Sequence, residues 1–102
     1  MSEFATLARP YANALFNVSK EKSLDFSEAL KSLIVVASNE KFKIHLNDPA
    51  VSKTAVIEIL SEITKQEKSL ELENFIQILA ENSRVPVLSE IYQQYKFLMN
   101  SE

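Results

Sequence analysis

The sequence predicts an all-α, single-domain fold: a bundle of six helices over residues 1–102. Three observations predict it. Apolar residues recur at helical spacing almost throughout, and strict alternation is nowhere sustained. The 102 residues include no Gly, the residue that tolerates positive φ, which argues against primed hairpin turns and phosphate-cradling loops. The breaks between periodic runs are short, so neighbouring helices are expected to pack mostly antiparallel. A chain of this length suits one modest core.

The elements follow in order. A first helix is expected from about Phe4 to Lys20. Pro10 is awkward there, because a proline removes an intrahelical hydrogen bond and crowds the preceding turn. The helix must therefore start near Thr6 or kink at Pro10. A second helix runs from about Leu24 to Ser38. A short third covers about Glu40 to Leu46 and is ended by Asn47-Asp48-Pro49, since a residue before proline is pushed out of helical conformation. Ser52 is a good N-cap for a fourth helix reaching about Gln66. A fifth spans about Leu70 to Ser83. Pro86 displaces Val85 in the same way, and a sixth helix begins near Pro86 or Val87 and runs to about Met99.

Helical wheels separate these elements. Packing on one core needs an apolar stripe a little over 100° wide, and the fourth helix fits with Val56, Ile59, Leu60 and Ile63. The second and sixth are somewhat broader, at about 160° and 140°. The first and fifth cover about 200° each. Either those two are central helices buried on two sides, or part of each stripe stays open and receives an apolar face from a partner. Ala5, Ala8, Ala12 and Ala14 are small enough for another helix to come close to the first. Leu7, Tyr11, Ala14 and Val18 form a row on one edge of its arc, and Phe75, Ile78 and Asn82 form a row on an edge of the fifth. If both edges border one groove, it suits an amphipathic helix.

Catalytic chemistry is sparse. With no Cys, cysteine nucleophiles, thiolate metal sites and disulfide frameworks are excluded. His45 is the only histidine, and a lone His on a short helix points to structure or surface rather than catalysis. Glu58 with Glu62 and Glu71 with Glu73 have the spacing of solvated faces. No P-loop, nucleophile motif or metal-ligand spacing occurs. No catalytic, cofactor or metal site is expected. A net charge of −3 and scattered basic residues argue against nucleic acid as a partner. The longest apolar stretch, Leu33 to Ala37, is far below the roughly 20 residues of a membrane span. Met1-Ser2-Glu3-Phe4 has no basic region leading into an apolar core, so a cytoplasm-like compartment is expected.

The segment Thr6-Leu7-Ala8-Arg9-Pro10-Tyr11-Ala12-Asn13-Ala14-Leu15-Phe16 resembles the opening of the delta subunit of bacterial F-type ATP synthases, whose mitochondrial homologue is the oligomycin sensitivity-conferring protein. Asn74 to Val85, followed by Leu88-Ser89-Glu90-Ile91, is a second match, and Asn47 to Ser52 a third. They occur in the family's order across nearly the whole chain. Family members commonly carry Gly where Ser83 stands and often Trp near Phe26.

The resemblance implies an N-terminal six-helix domain on top of the catalytic head. It implies a groove between the first and fifth helices that binds the N-terminal amphipathic helix of an alpha subunit. Leu7, Tyr11, Ala14, Val18, Phe75, Ile78 and Asn82 are the expected partner-binding residues. It also implies a second domain of similar size, beyond this chain, that holds the b subunits of the peripheral stalk. The whole would be a non-catalytic stator supporting proton-driven ATP synthesis, peripheral to the bacterial inner membrane on its cytoplasmic side.

Two rival readings belong to other classes. A helical regulatory or DNA-associated adaptor of the helix-turn-helix kind needs an exposed basic recognition helix, for which Lys53, Lys65 and Lys68 supply little. A catalytic domain would need His45 paired with a nearby acid.

Overall fold

Three helices in this chain start where the N-cap side chain offers an oxygen to the first unpaired amides. A computed structural model describes residues 3–101; Met1, Ser2 and Glu102, part of the expected 1–102 domain, lie outside the described residues. Among these, the helices are α1 (Glu3–Lys22), α2 (Ser27–Ala37), α3 (Glu40–Asn47), α4 (Lys53–Thr64), α5 (Leu70–Glu81) and α6 (Leu88–Asn100), with 3₁₀ turns at Lys65–Glu67 and Val85–Val87. Asn39 Oδ1 accepts from the amides of Lys41 (2.9 Å) and Phe42 (3.2 Å) at the start of α3. Ser52 Oγ accepts from Ala55 N–H (3.1 Å) at α4 and Ser69 Oγ from Leu72 N–H (3.1 Å) at α5. Each satisfies a donor that has no partner within its own helix.

Three differences from the sequence reading have local causes. Pro10 lies inside α1, which begins before it at Glu3; one missing amide is tolerated in a helix anchored along its length. The second helix starts at Ser27 rather than Leu24. Leu24 N–H instead turns back to the Ser19 carbonyl (3.1 Å), and Asp25 Oδ1 accepts from Ser27 N–H (2.9 Å) to open the new helix. The fifth ends at Glu81 rather than Ser83, and Val85 is drawn into the 3₁₀ turn that leads into α6.

The chain makes left-handed stops without Gly. Ser23, Lys68 and Ser83 have φ of 56°, 50° and 58°. At Ser83 the closure is complete: its N–H returns to the Ala80 carbonyl (3.0 Å) and Arg84 N–H to that of Leu79 (2.9 Å), the paired hydrogen bonds of a left-handed helix ending. Serine keeps this geometry at a conformational cost of about 1–2 kcal/mol.

One apolar core joins all six helices. Leu30, Leu33, Leu60, Ile76, Leu79 and Ile91 are fully buried in it, as is Tyr95. α1 packs chiefly against α6, α5 against α4, and α2 against both α4 and α6. Ala8 and Ala12 are fully buried, and their small side chains let α1 sit close to its neighbours. α1 and α5 thus face each other while each is supported mainly from elsewhere.

Candidate partner-binding groove

Two polar ties run from α1 to α5. Asn82 Nδ2 donates to the Tyr11 hydroxyl (2.9 Å), and Lys22 Nζ donates to Glu71 Oε2 (2.6 Å). Low residue numbers on one helix meet high numbers on the other, so the helices run antiparallel. At 1.5 Å per residue the ties stand about 16 Å apart along each helix, the length of three helical turns.

Between the ties lies an open, mostly apolar depression of about 520 Å³. Ala14 and Val18 of α1 and Asn74 and Ile78 of α5 form its sides, with Pro10 beside Tyr11 at one end. Leu15, Phe26 and Phe75 form its base and are almost wholly buried. Ile78 is 50% exposed, so half of a large apolar side chain faces water on the groove wall.

The excess arcs on the wheels have a clear outcome. α1 buries only Ala8, Ala12, Leu15 and Ser19, a stripe spaced by four, three and four residues. Ala14 is exposed, and Tyr11 and Val18 are half-buried. α5 buries Leu72, Phe75, Ile76, Leu79 and Ala80 and leaves Ile78 out. Part of each apolar stripe therefore stays open, and the open parts share one groove.

Tyr11, Ala14, Val18, Phe75, Ile78 and Asn82 all line this groove. Leu7 is half-buried against the core and is not among the lining residues. Sequence reasoning missed Pro10, Leu15, Phe26, Glu71 and Asn74. The one available signal was at Phe26, beside the position where family members often have Trp. Leu15 lies at the centre of its apolar stripe, where a wheel marks it only as core.

Glu71 is the charged residue of the lining. The hydrogen bond from Lys22 holds its carboxyl below the usual carboxylate range, and the same contact raises the Lys22 ammonium. Ser69 Oγ also reaches Glu71 Oε1 (3.3 Å). The lining offers apolar surface with the polar groups of Tyr11 and Asn82 toward one end and Asn74 and Glu71 toward the other.

The residues of the rival readings are arranged differently. His45 is exposed on α3, and the nearby Asp48 carboxylate accepts from Ala50 N–H (2.9 Å). Among the described residues, no three of His, Cys, Asp or Glu gather as a metal site. Lys53 Nζ donates to the Glu81 carbonyl (2.7 Å) and Lys65 pairs with Glu62, so neither basic residue of the α4 region stands free for a phosphate backbone.

Comparison with known proteins meets this geometry. The family described as ATP synthase delta (OSCP) subunit matches residues 7–102. ATP synthase subunit delta of Hydrogenovibrio crunogenus is 34% identical over 104 residues, covering the whole chain and 58% of that relative. The subunit of the same name from Cupriavidus taiwanensis is 37% identical over 105 residues, covering 99% of the chain and 58% of the relative. That of Acinetobacter baylyi is 35% identical over 100 residues, covering 96% of the chain and 56% of the relative. The chain thus spans less than two thirds of the length of these relatives. A match that includes both walls of the groove and all six helices carries the assignment: the chain belongs to the ATP synthase delta (OSCP) subunit family.

Proposed function

We propose that this chain is the head-binding part of a stator, a non-catalytic coupling element of an F-type ATP synthase. The open apolar groove between α1 and α5 carries the reading. An amphipathic helix laid along it would cover Ala14, Val18 and the exposed half of Ile78, removing apolar surface from water at about 25 cal/mol per Å². The occupant is the N-terminal helix of the alpha subunit. Three turns of it fit between the two ties, so about eleven of its residues lie in the groove.

Each side chain has a role in that contact. Tyr11 offers a large amphipathic surface of the kind enriched in binding hot spots. Ala14 keeps the wall low so the helix can approach. Ile78 fills the space between apolar residues of the incoming helix, and Asn82 hydrogen-bonds its polar flank. The b subunits of the peripheral stalk bind the part of the subunit beyond this chain. So connected, the subunit keeps the alpha and beta hexamer from turning with the rotor while proton flow drives ATP synthesis.

Among the described residues no helix is long and apolar enough to cross a membrane. Membrane association therefore comes through the complex, on the cytoplasmic face of a bacterial inner membrane. Titration of the ¹⁵N-labelled domain with an alpha N-terminal peptide tests the proposal: shifts concentrated on α1 and α5 support it, and shifts centred on α4 overturn it.

A further inference from the structure

Tyr95 is fully buried on α6, a helix that contributes no residue to the groove lining. A phenylalanine would fill the same space without burying a hydroxyl, so the hydroxyl needs a reason. Its partners supply one. Phe26 N–H donates to Tyr95 Oη (2.9 Å), and Ser19 Oγ is hydrogen-bonded to the same oxygen at 2.7 Å.

Both partners adjoin the groove. Phe26 lies in its base and occupies the N-cap of α2, with a side chain that offers no cap of its own. Its amide finds its partner in the Tyr95 hydroxyl, 69 residues away in sequence. The two rings also meet, with centroids 6.3 Å apart and planes tilted by 54°. Ser19 follows Val18, a wall residue, on α1. One buried oxygen thus holds a wall and the base of the groove to a third element.

We infer that the Tyr95 hydroxyl is a positioning group for the groove, fixing where the Phe26 ring and the Val18 wall stand for the incoming helix. The inference rests on reading the groove as the partner site. A buried hydroxyl paired with two groups favours one arrangement over near alternatives, because each alternative leaves a desolvated donor or acceptor unpaired. Without the hydroxyl, Phe26 N–H loses its partner and the segment between α1 and α2 is free to settle elsewhere in the base.

The test compares Tyr95→Phe with Leu60→Val, a core truncation on α4, which also supplies no lining residue. Two readouts are taken for each: affinity for the alpha N-terminal peptide by calorimetry, and the methyl NMR signals of Ala14, Val18 and Ile78 without peptide. Tyr95→Phe should weaken binding about tenfold and displace the methyl signals. Leu60→Val should keep affinity within about twofold and leave the signals in place. Ser19→Ala, which keeps the hydroxyl's hold on Phe26, should move the Val18 signals and leave those of Ile78 in place. Unchanged affinity and methyl signals in Tyr95→Phe overturn the inference, as does an equal loss in Leu60→Val, which would reduce the hydroxyl to general stability. If the unmodified protein fails to bind the peptide, the groove reading falls, and the methyl signals alone still decide what the hydroxyl positions.

Discussion

Asn82 donates from its side-chain amide to the hydroxyl of Tyr11 across 2.9 Å, joining two residues that are 71 positions apart in sequence. The bond ties the end of α5 to α1 at one end of an apolar groove, and both of its members are exposed enough to meet a partner. Tyr11→Phe removes the tie and keeps the ring. Peptide affinity should fall by about three- to tenfold and the melting temperature by a few degrees, because the lost hydrogen bond contributes about 1 kcal/mol. Calorimetric titration alongside a thermal melt checks both halves.

Ile78 is the clearest separator of folding from binding. Half of its side chain is in water in the free domain, so truncation there removes little of the core. Ile78→Ala should weaken the alpha peptide about tenfold through lost apolar burial and shift chemical-denaturation stability by less than about 1 kcal/mol. A large stability loss with unchanged affinity would mean that Ile78 serves the core.

Ser83 carries a conformational cost that can be removed. At φ 58° a Cβ is unfavourable and Gly is not. Ser83→Gly relieves that cost and gives back part of it through a more flexible unfolded chain, for a net gain of about 0.5–1 kcal/mol. The melting temperature should rise by about 2–6 °C. A fall on differential scanning calorimetry would contradict the left-handed stop.

The Lys22–Glu71 pair makes a pH prediction with a definite sign. Glu71 has its pKa lowered in the folded domain, chiefly by the hydrogen bond from Lys22. A depressed carboxylate contributes stability that is present above its unfolded pKa and lost as pH falls through the folded value. Acidification through the carboxylate range should therefore destabilise the unmodified protein more than Glu71→Gln, whose side chain does not titrate. Added salt at neutral pH should narrow the difference, because the pair is exposed to solvent and screened. Denaturation midpoints for both proteins across that pH range measure it.

The helices were legible because their signals are local: the cap at Ser52 and the prolines at 49 and 86 act within a few residues. The start of α2 was not: Leu24 N–H turns back to Ser19 and Asp25 opens the helix at Ser27, while Phe26 N–H is held by Tyr95, a partner that no local pattern announces. The groove walls were visible as arcs wider than one core requires. Its base was hidden, since Leu15 and Phe26 look like ordinary core residues until the helices are placed. The Lys22–Glu71 tie was hidden for the same reason, as it joins residues 49 positions apart.

Ala14 gives the most direct test of the groove as the partner site. It is exposed on the open face of α1, so Ala14→Asp should leave the fold intact in the free domain while placing a carboxylate under the incoming helix. Burying that unpaired charge should weaken the alpha N-terminal peptide by at least about thirtyfold in calorimetric titration, with the circular dichroism spectrum and melting temperature close to those of the unmodified protein. Unchanged affinity in a folded Ala14→Asp protein would contradict the account and place the partner on another face.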